Sequence, residues 1–117
     1  MIAEGSVKRL TDEDVAWDEL VPGLDLARSI TAAGTTQLGG GYMRFGRDAA
    51  FGPWTLKYDE VLFVQSGELE VVENGKPTAA AVGEAILIPK GATVTYRGRK
   101  GTLGFFVLWP FDWNREG

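Results

Sequence analysis

The sequence predicts an all-β fold made of many short strands. Glycine accounts for 16 of the 117 residues, about twice its usual share of roughly 7%, and the glycines are scattered between short apolar runs, as turns are in a sandwich or barrel. No segment of ten or more residues has the apolar period of a helix. Because 44% of the residues are apolar and the net charge is only −4, we expect one folded domain with its own core.

Residues 1–20 are predicted to form an N-terminal arm, and residues 21–117 the β-barrel. Within the arm, residues 7–10 are typical of a short strand, and Thr11 is suited to cap one helical turn over residues 12–14. The arm carries apolar side chains that need a surface to bury against, so we expect it to cover part of the barrel.

Turn residues and strand patterns alternate along the barrel. Residues 39–41, which are three glycines, predict a break or a bulge, and residues 46–53 predict a loop. Asn74 and Gly75 are the strongest hairpin signal in the chain, because a type I′ turn needs positive φ at both central residues. Strands are predicted at residues 24–30, 42–45, 60–64, 68–72, 85–88, 93–96 and 103–109, and residues 54–58 are predicted to be extended.

Two residue types are missing from the chain, cysteine and histidine. The lack of cysteine excludes disulfides, thiolate nucleophiles and Cys-based zinc sites. The lack of histidine excludes serine–histidine catalysis and imidazole metal ligands. Any chemistry must therefore use carboxylates, Lys, Arg, Tyr, Ser, Thr or backbone groups.

Charge and hydropathy limit the partners. The acidic balance, 16 Asp and Glu against 12 Lys and Arg, argues against nucleic acid and against an anionic membrane. There is no apolar run long enough to span a bilayer and no signal-peptide pattern at residues 1–5. We therefore expect a protein that binds neither nucleic acid nor membranes.

One spaced pattern centres on a glutamate. It reads Trp54-x-Leu56-x-x-x-Glu60, and Gly67 follows after six residues. This spacing resembles the first cupin motif, His-x-His-x₃₋₄-Glu-x₆-Gly. Trp54 and Leu56 stand where cupins carry two metal-binding histidines, so only Glu60 retains a metal-ligand position.

Fifteen residues separate Gly67 from the start of a second pattern. Gly83, five residues, Pro89-Lys90-Gly91, two residues and then Val94 resemble the second cupin motif, Gly-x₅-Pro-x-Gly-x₂-His-x₃-Asn. Val94 stands at the histidine and Gly98 at the asparagine. The resemblance implies a cupin-type double-stranded β-helix, a jelly-roll barrel with a short N-terminal arm. With the histidines replaced we expect no transition metal and no cofactor, while Mg²⁺ or Ca²⁺ held by Glu60 and carbonyl groups stays open.

Three separated strings resemble the ethanolamine utilisation protein Q family, over about residues 40–113. The resemblance implies a histidine-free cupin with a cytoplasmic metabolic role, tied to an ethanolamine operon and its bacterial microcompartment, and an acetate kinase activity has been ascribed to that family. Members often carry an extra N-terminal region, so this chain is expected to be a free-standing cupin domain. The strings are Trp54-Thr55-Leu56-Lys57-Tyr58-Asp59-Glu60, Ile88-Pro89-Lys90-Gly91 and Trp109-Pro110-Phe111-Asp112-Trp113.

Glu60 is the leading candidate for a functional side chain. Trp54, Leu56 and Glu60 share parity, so on an extended segment they face one side, which the cupin resemblance places in the barrel interior. Desolvation there raises the pKa of a carboxyl group and a nearby cation lowers it again; Arg44 is the candidate cation if it faces inward. Glu60 is predicted to act in acid/base chemistry or to anchor a ligand. The alternative is a structural remnant of a metal site that accepts backbone hydrogen bonds.

Tyr58 and Asp59 complete the candidate catalytic set with Glu60. Paired carboxylates can divide acid and base roles when their environments differ, but adjacent residues of a regular strand face opposite ways. The alternative for Asp59 is therefore a bond to turn backbone, and Tyr58 lies either at a pocket mouth or in the core. The side chains predicted to line a ligand pocket, or alternatively to form plain barrel core, are Arg44, Trp54, Leu56, Val94, Tyr96 and Trp109.

Three functions are compatible with the sequence. The first is a cupin that holds a small polar metabolite around Glu60, with a metabolic enzyme activity. The second is a non-catalytic sensor or binding module, and the third is an assembly protein with an empty pocket. An open cavity with Glu60 and an inward cation would favour the first two, whereas Trp54 and Tyr96 filling the barrel would favour the third.

Two strands are apolar on both faces. A barrel whose outside meets water should show polar residues at alternate positions. Val61 and Phe63 are nonetheless as apolar as their neighbours, and residues 103–109 are apolar on both faces. The arm, with Trp17, could cover part of this surface and a second chain the rest. We therefore expect a homodimer built through the outer sheet face and the N-terminal arm.

Overall fold

Two antiparallel sheets make up the fold of the computed structural model, which describes residues 6–115. The first five residues of the predicted arm and the last two of the chain lie outside the described residues. Within residues 6–115, the elements in chain order are β1 (Asp18–Val21), β2 (Leu24–Ala27), α1 (Ser29–Ala33), β3 (Gly39–Phe45), β4 (Ala49–Thr55), β5 (Asp59–Ser66), β6 (Leu69–Glu73), β7 (Lys76–Ala80), β8 (Ala85–Ile88), β9 (Thr93–Gly98), β10 (Leu103–Trp109) and a 3₁₀ turn (Trp113–Arg115).

The two sheets enclose an apolar interior. One has the strand order β1-β2-β3-β10-β5-β8 and the other the order β4-β9-β6-β7. Buried and exposed side chains alternate strictly along most of β5 and throughout β8, as the two-residue period of a strand requires. This architecture confirms the all-β prediction. The buried side chains that meet between the sheets include Phe45, Leu62, Leu69, Val71 and Ile88.

The hairpin predicted at Asn74 and Gly75 is confirmed. These two residues connect β6 to β7, and Glu73 lies opposite Lys76 in the ladder. Asn74 has a φ of 51° and Gly75 a φ of 76°, which are the positive values that a two-residue type I′ turn needs.

The three glycines at residues 39–41 lie inside a sheet, so the predicted break or bulge is wrong. They begin β3, where Gly41 lies opposite Phe106 of β10 in an unbroken register. Gly41 has a φ of 155°, and a Cβ atom there would clash with the Ala27 carbonyl oxygen. The glycine therefore serves a close approach between backbones, which sequence alone does not distinguish from a turn.

The loop predicted over residues 46–53 is wrong from Ala49 onward, where β4 begins. β4 pairs with β9, and the register shifts between Phe51 and Trp54. Gly52-Pro53 occupies this irregularity. Gly and Pro indicate a loop locally, but the ladder to β9 continues on both sides of them.

The strand predicted over residues 24–30 ends early. β2 stops at Ala27, and α1 follows, with the Ala32 amide donating to the Arg28 carbonyl oxygen at 2.8 Å. Alanine favours helix more than any other residue, and α1 contains two alanines, Ala32 and Ala33. The moderate apolar alternation over residues 24–30 does not exclude one helical turn at its end. No helix within residues 6–115 is long and apolar enough to cross a bilayer.

The arm over residues 6–17 has no regular structure, so the strand and the helical turn predicted there are wrong. Thr11 Oγ1 still accepts a hydrogen bond from the Asp14 amide at 3.3 Å, the bond a helix cap would accept. The Tyr42 hydroxyl donates to the Leu10 carbonyl oxygen at 3.2 Å and ties the arm to the outer side of β3. The division of the chain after residue 20 stays a prediction, since β1 runs across it.

Apolar side chains cover part of the outer surface of the six-stranded sheet. On β5, Val61 and Phe63 point outward, and each keeps 41% of its surface exposed. Phe63 lies opposite Phe105, and Val61 lies between Val107 and Leu87. We call these five residues the outer face. A contiguous exposed apolar patch of this kind marks an interaction surface.

We propose that the outer face pairs with the same face of a second copy, as in a two-fold symmetric homodimer. Phe63→Glu puts a charge into the middle of the patch, where burial without a partner is unfavourable. We therefore expect the mass measured by light scattering at micromolar concentration to fall from two chains to one.

Thr78→Glu is the matched control for this substitution, because Thr78 is exposed on β7 of the other sheet. It should keep the mass of the parent. A parent mass of one chain that does not rise when the sample is concentrated contradicts the dimer. A Phe63→Glu variant that stays dimeric shows that a different surface is used.

Candidate functional site

A cavity of about 270 Å³ lies within the barrel. Its walls are mostly apolar or aromatic, and its ionisable side chains are Arg28, Tyr58, Glu60 and Tyr96. Ligand sites are concave and mainly apolar, with a few polar groups that fix the ligand, so this cavity is the candidate site. The lining residues are Leu20, Leu24, Leu26, Arg28, Met43, Phe51, Trp54, Tyr58, Glu60, Tyr96, Phe106, Leu108 and Trp113.

A larger groove of about 580 Å³ lies between the arm and α1. Its charged lining residues include Lys8, Arg9 and Asp14, which are exposed to solvent. The barrel cavity instead contains Glu60, whose side chain is buried. Because a buried ionisable group in a cavity is a marker of function, we place the site in the barrel.

The register of β5 fixes Glu60 inside the barrel. Glu60 lies opposite Ile88 of β8 and Leu108 of β10, on the same side of β5 as Leu62. The Tyr96 hydroxyl donates a hydrogen bond of 2.8 Å to Glu60 Oε1. Burial raises the pKa of Glu60 from the ordinary 4.5 to about 7, and the bond from Tyr96 limits that rise. The carboxyl group therefore exchanges its proton near neutral pH.

Two tyrosines lie beside this carboxyl group. Tyr96 comes from β9, and Tyr58 precedes β5 and accepts a hydrogen bond of 3.0 Å from the Trp54 indole N–H. Burial, followed by the negative charge of Glu60, raises the pKa of Tyr58 to about 12. The same two causes raise the pKa of Tyr96. Both phenols therefore stay neutral at physiological pH and can donate hydrogen bonds.

Five of the six aromatic rings that line the cavity form a connected series. The Phe51 ring centroid lies 6.0 Å from that of Trp54 and 6.2 Å from that of Tyr96. The Trp113 ring centroid lies 5.7 Å from that of Trp54 and 5.1 Å from that of Tyr58, at interplanar angles of 76° and 46°. The Trp113 ring is therefore inclined to both neighbouring rings and does not stack on either of them. We call these five residues the aromatic wall.

Sequence reasoning missed nine of the thirteen lining residues, and two of these, Arg28 and Trp113, bear on the chemistry of the site. Arg28 lies between β2 and α1, where the sequence predicts a continuous strand. Trp113 belongs to the 3₁₀ turn that follows β10. The signal that could have found Trp113 is its place in the family-like string over residues 109–113, whereas no pattern pointed to Arg28.

Arg44 does not enter the cavity, so the expectation of an inward cation at this position is wrong. Phe45 points into the core, and strand alternation turns Arg44 outward. Its Nε donates to Asp25 Oδ2 at 3.0 Å, and its guanidinium carbon lies 4.2 Å from the Trp17 ring centroid. Arg28 is the cation that lines the cavity instead.

Four other predicted site residues lie away from the cavity surface. Asp59 Oδ1 accepts a hydrogen bond of 2.8 Å from the Lys90 amide, which is the turn-backbone bond expected as its alternative. Trp109 is 56% exposed on the outside of β10, and Leu56 and Val94 are buried in the core. The predicted residues that the cavity does bring together are Trp54, Tyr58, Glu60 and Tyr96.

Within residues 6–115, no three acidic side chains lie close enough together to hold a metal ion. Trp54, Leu56 and Val94, which stand at the cupin ligand positions, offer no metal-binding atom. Glu60 brings a carboxyl group to the cavity. The expectation that the chain carries no transition metal stays a prediction.

Sequence comparison identifies relatives along most of the chain. A family model described as ethanolamine utilisation protein EutQ matches residues 10–115. The acetate kinase EutQ of Salmonella typhimurium is 34% identical over 84 residues, which are 72% of this chain and 36% of that protein. The chain therefore spans roughly a third of the length of this curated relative.

Structural comparison confirms the cupin fold. A crystal structure of ethanolamine utilization protein Q from Salmonella typhimurium is 29% identical, with a TM-score of 0.79, and the match covers 94% of this chain and 91% of that one. An RmlC-like cupin from Shewanella frigidimarina is 15% identical, with a TM-score of 0.71, and covers 92% of this chain and 95% of its own. The second likeness concerns the fold alone.

Because the pKa of Glu60 is raised on folding to about 7 from 4.5, the folded state binds the proton more tightly than the unfolded state. The contribution of Glu60 to the free energy of unfolding is therefore largest below about pH 4.5 and is lost as the pH rises through 7. Glu60→Gln removes this titration. Between pH 4.5 and 8, we expect the difference in unfolding free energy between parent and variant to change by on the order of 3 kcal/mol.

Urea denaturation at several pH values between 4.5 and 8 measures this change. Glu73→Gln is the control, because Glu73 is exposed at the end of β6, and it should follow the pH dependence of the parent. Equal pH dependence of parent and Glu60→Gln would show that the Glu60 carboxyl titrates as it does in the unfolded chain.

Proposed function

The chain belongs to the family of ethanolamine utilisation protein EutQ, and from this membership and the chemistry of the cavity we propose that the barrel binds a small polar metabolite around Glu60 and transfers protons to or from it. The observation that carries the proposal is a buried carboxyl group that faces a cavity. A buried ionisable group costs stability, and a site that binds and converts a ligand explains why it is kept.

The size and lining of the cavity support a small ligand. Liquid water occupies about 30 Å³ per molecule, so 270 Å³ corresponds to roughly nine water molecules. The mostly apolar lining lowers the local dielectric constant, which strengthens each polar contact inside. Glu60, Tyr58 and Tyr96 supply the few directed polar groups that fix the orientation of a ligand.

The acid–base properties of these groups support proton transfer. A general acid or base works best when its pKa lies near the working pH, and burial brings the pKa of Glu60 to about 7. Tyr58 remains a neutral donor that can stabilise negative charge developing on a bound substrate, while the single O–H of Tyr96 is donated to Glu60. We thus assign the acid/base role to Glu60, the positioning of the substrate to Tyr58 and the positioning of the Glu60 carboxyl group to Tyr96.

Acetate kinase activity is the second candidate, because the Salmonella relative carries that name. In this reading the cavity holds the acetyl group, and Arg28 at its edge meets the anionic phosphoryl group. A non-catalytic sensor uses the same cavity without turnover. We assign each of these roles to the cytoplasm and to ethanolamine metabolism as part of the proposal.

Ligand-observed NMR with a panel of small acids, amines, alcohols and phosphate esters tests the proposed site. We expect at least one compound to bind the parent, and Glu60→Gln to weaken that binding about tenfold or more, as the loss of a hydrogen bond to a charged group does. Glu73→Gln should bind as the parent does.

Two outcomes count against metabolite binding at Glu60. One is a panel without a binder, and the other is a set of binders that Glu60→Gln holds as tightly as the parent. The acetate kinase candidate is tested separately, by following acetyl phosphate and ADP formed from acetate and Mg²⁺–ATP. A parent chain that forms neither product contradicts that candidate and leaves metabolite binding standing.

A further inference from the structure

Only one of the two oxygens of the buried Glu60 carboxyl group accepts a hydrogen bond from another described side chain. Tyr96 bonds to Oε1. Among residues 6–115, no side chain bonds to the other oxygen, and no cation lies within ion-pair distance. Glu60 lines the cavity, so the negative charge of the ionised group is directed at whatever occupies it.

The aromatic wall supplies a second feature that favours cations. The π-face of an aromatic ring carries partial negative charge and attracts a cation within about 6 Å of the ring centroid. Phe51, Trp54, Tyr58, Tyr96 and Trp113 all line the same cavity as Glu60. Neighbouring centroids in this series lie 5.1 to 6.2 Å apart, so the rings form one continuous part of the cavity lining.

We propose that the cavity selects small organic ammonium compounds, held between the Glu60 carboxylate and the aromatic wall that Trp113 completes. This inference rests on the proposed function, since it names the class of ligand for the same cavity. An alkylated or primary ammonium group pairs with the carboxylate, and its carbon substituents fill the apolar part of the cavity.

Charge decides between this class and an anionic ligand. An anion placed beside the ionised Glu60 carboxylate would be repelled, because the side chain of Glu60 is buried and solvent screens its charge little. Arg28 also lines the cavity, but its side chain is exposed to solvent, where screening weakens its attraction. For a charged ligand group beside Glu60, the buried carboxylate therefore has a stronger effect than the exposed guanidinium of Arg28.

Trp113 is the wall residue that reports on selectivity with the least disturbance of the fold. It lies on the 3₁₀ turn after β10, outside both sheet ladders. Trp113→Ala therefore removes a ring without removing a strand hydrogen bond. Trp17→Ala is the matched control, because Trp17 lies under Arg44 on the outer side of the sheet.

Two probes of the same shape test the proposal, choline and its uncharged isostere 3,3-dimethylbutan-1-ol. Affinities measured by NMR titration at pH 8 should favour choline about tenfold or more in the parent. Glu60→Gln should remove most of that preference. Trp113→Ala should reduce the preference by roughly threefold, and Trp17→Ala should leave it unchanged.

The ratio of the two affinities is the deciding quantity, because a variant that merely loosens the cavity weakens both probes alike. Equal affinity of the parent for both probes overturns the ammonium class, as does no binding of choline. A preference for choline that survives both Glu60→Gln and Trp113→Ala places the cation elsewhere and also overturns it. If other compounds in the metabolite panel still bind in a Glu60-dependent way, the proposed function stands while this inference fails.

Discussion

The hydrogen bond from Tyr96 to the buried carboxyl group of Glu60 is the interaction on which the candidate site depends. It joins the two sheets, because Glu60 belongs to β5 of the six-stranded sheet and Tyr96 to β9 of the four-stranded one. A charge buried without such a partner would cost several kcal/mol. The bond keeps the pKa of the carboxyl group lower than burial alone would set it. The same hydrogen bond therefore fixes how the two sheets face each other and influences the protonation of Glu60.

The same strand shows how this arrangement is selected. A one-residue slip of β5 would exchange its inner and outer side chains, and the apolar pattern alone resists such a slip weakly, because Val61 and Phe63 are as apolar as Leu62. The polar residues at the start of β5 distinguish the observed register from the slipped one. Glu60 finds Tyr96 only when it faces inward, and Asp59 then reaches the Lys90 amide on the other side. Polar contacts therefore fix a register that hydrophobicity leaves weakly determined.

These contacts explain which parts of the site could be predicted from sequence. The inward position of Glu60 was predicted from cupin spacing and from parity with Trp54, but these two residues lie on strands of different sheets, so parity along one strand does not connect them. Arg44 was misplaced although its neighbour Phe45 carried the signal, since an apolar residue that faces the core turns the adjacent side chain outward. Arg28 and Trp113 could not be found by periodicity, because both lie where a strand has ended. Their approach to the cavity depends on how the chain folds back over the barrel.

The replacement of histidines changes the chemistry of the carboxyl group that remains. A carboxylate that binds a metal ion is held ionised by the positive charge of the ion. At the cupin ligand positions of this chain, Trp54 contributes a ring to the cavity wall, and Leu56 and Val94 pack in the core. Glu60 is left among rings and aliphatic side chains, so burial raises its pKa to about 7. The residue that would be a fixed anion in a metal site is here a group that gains and loses a proton near neutral pH.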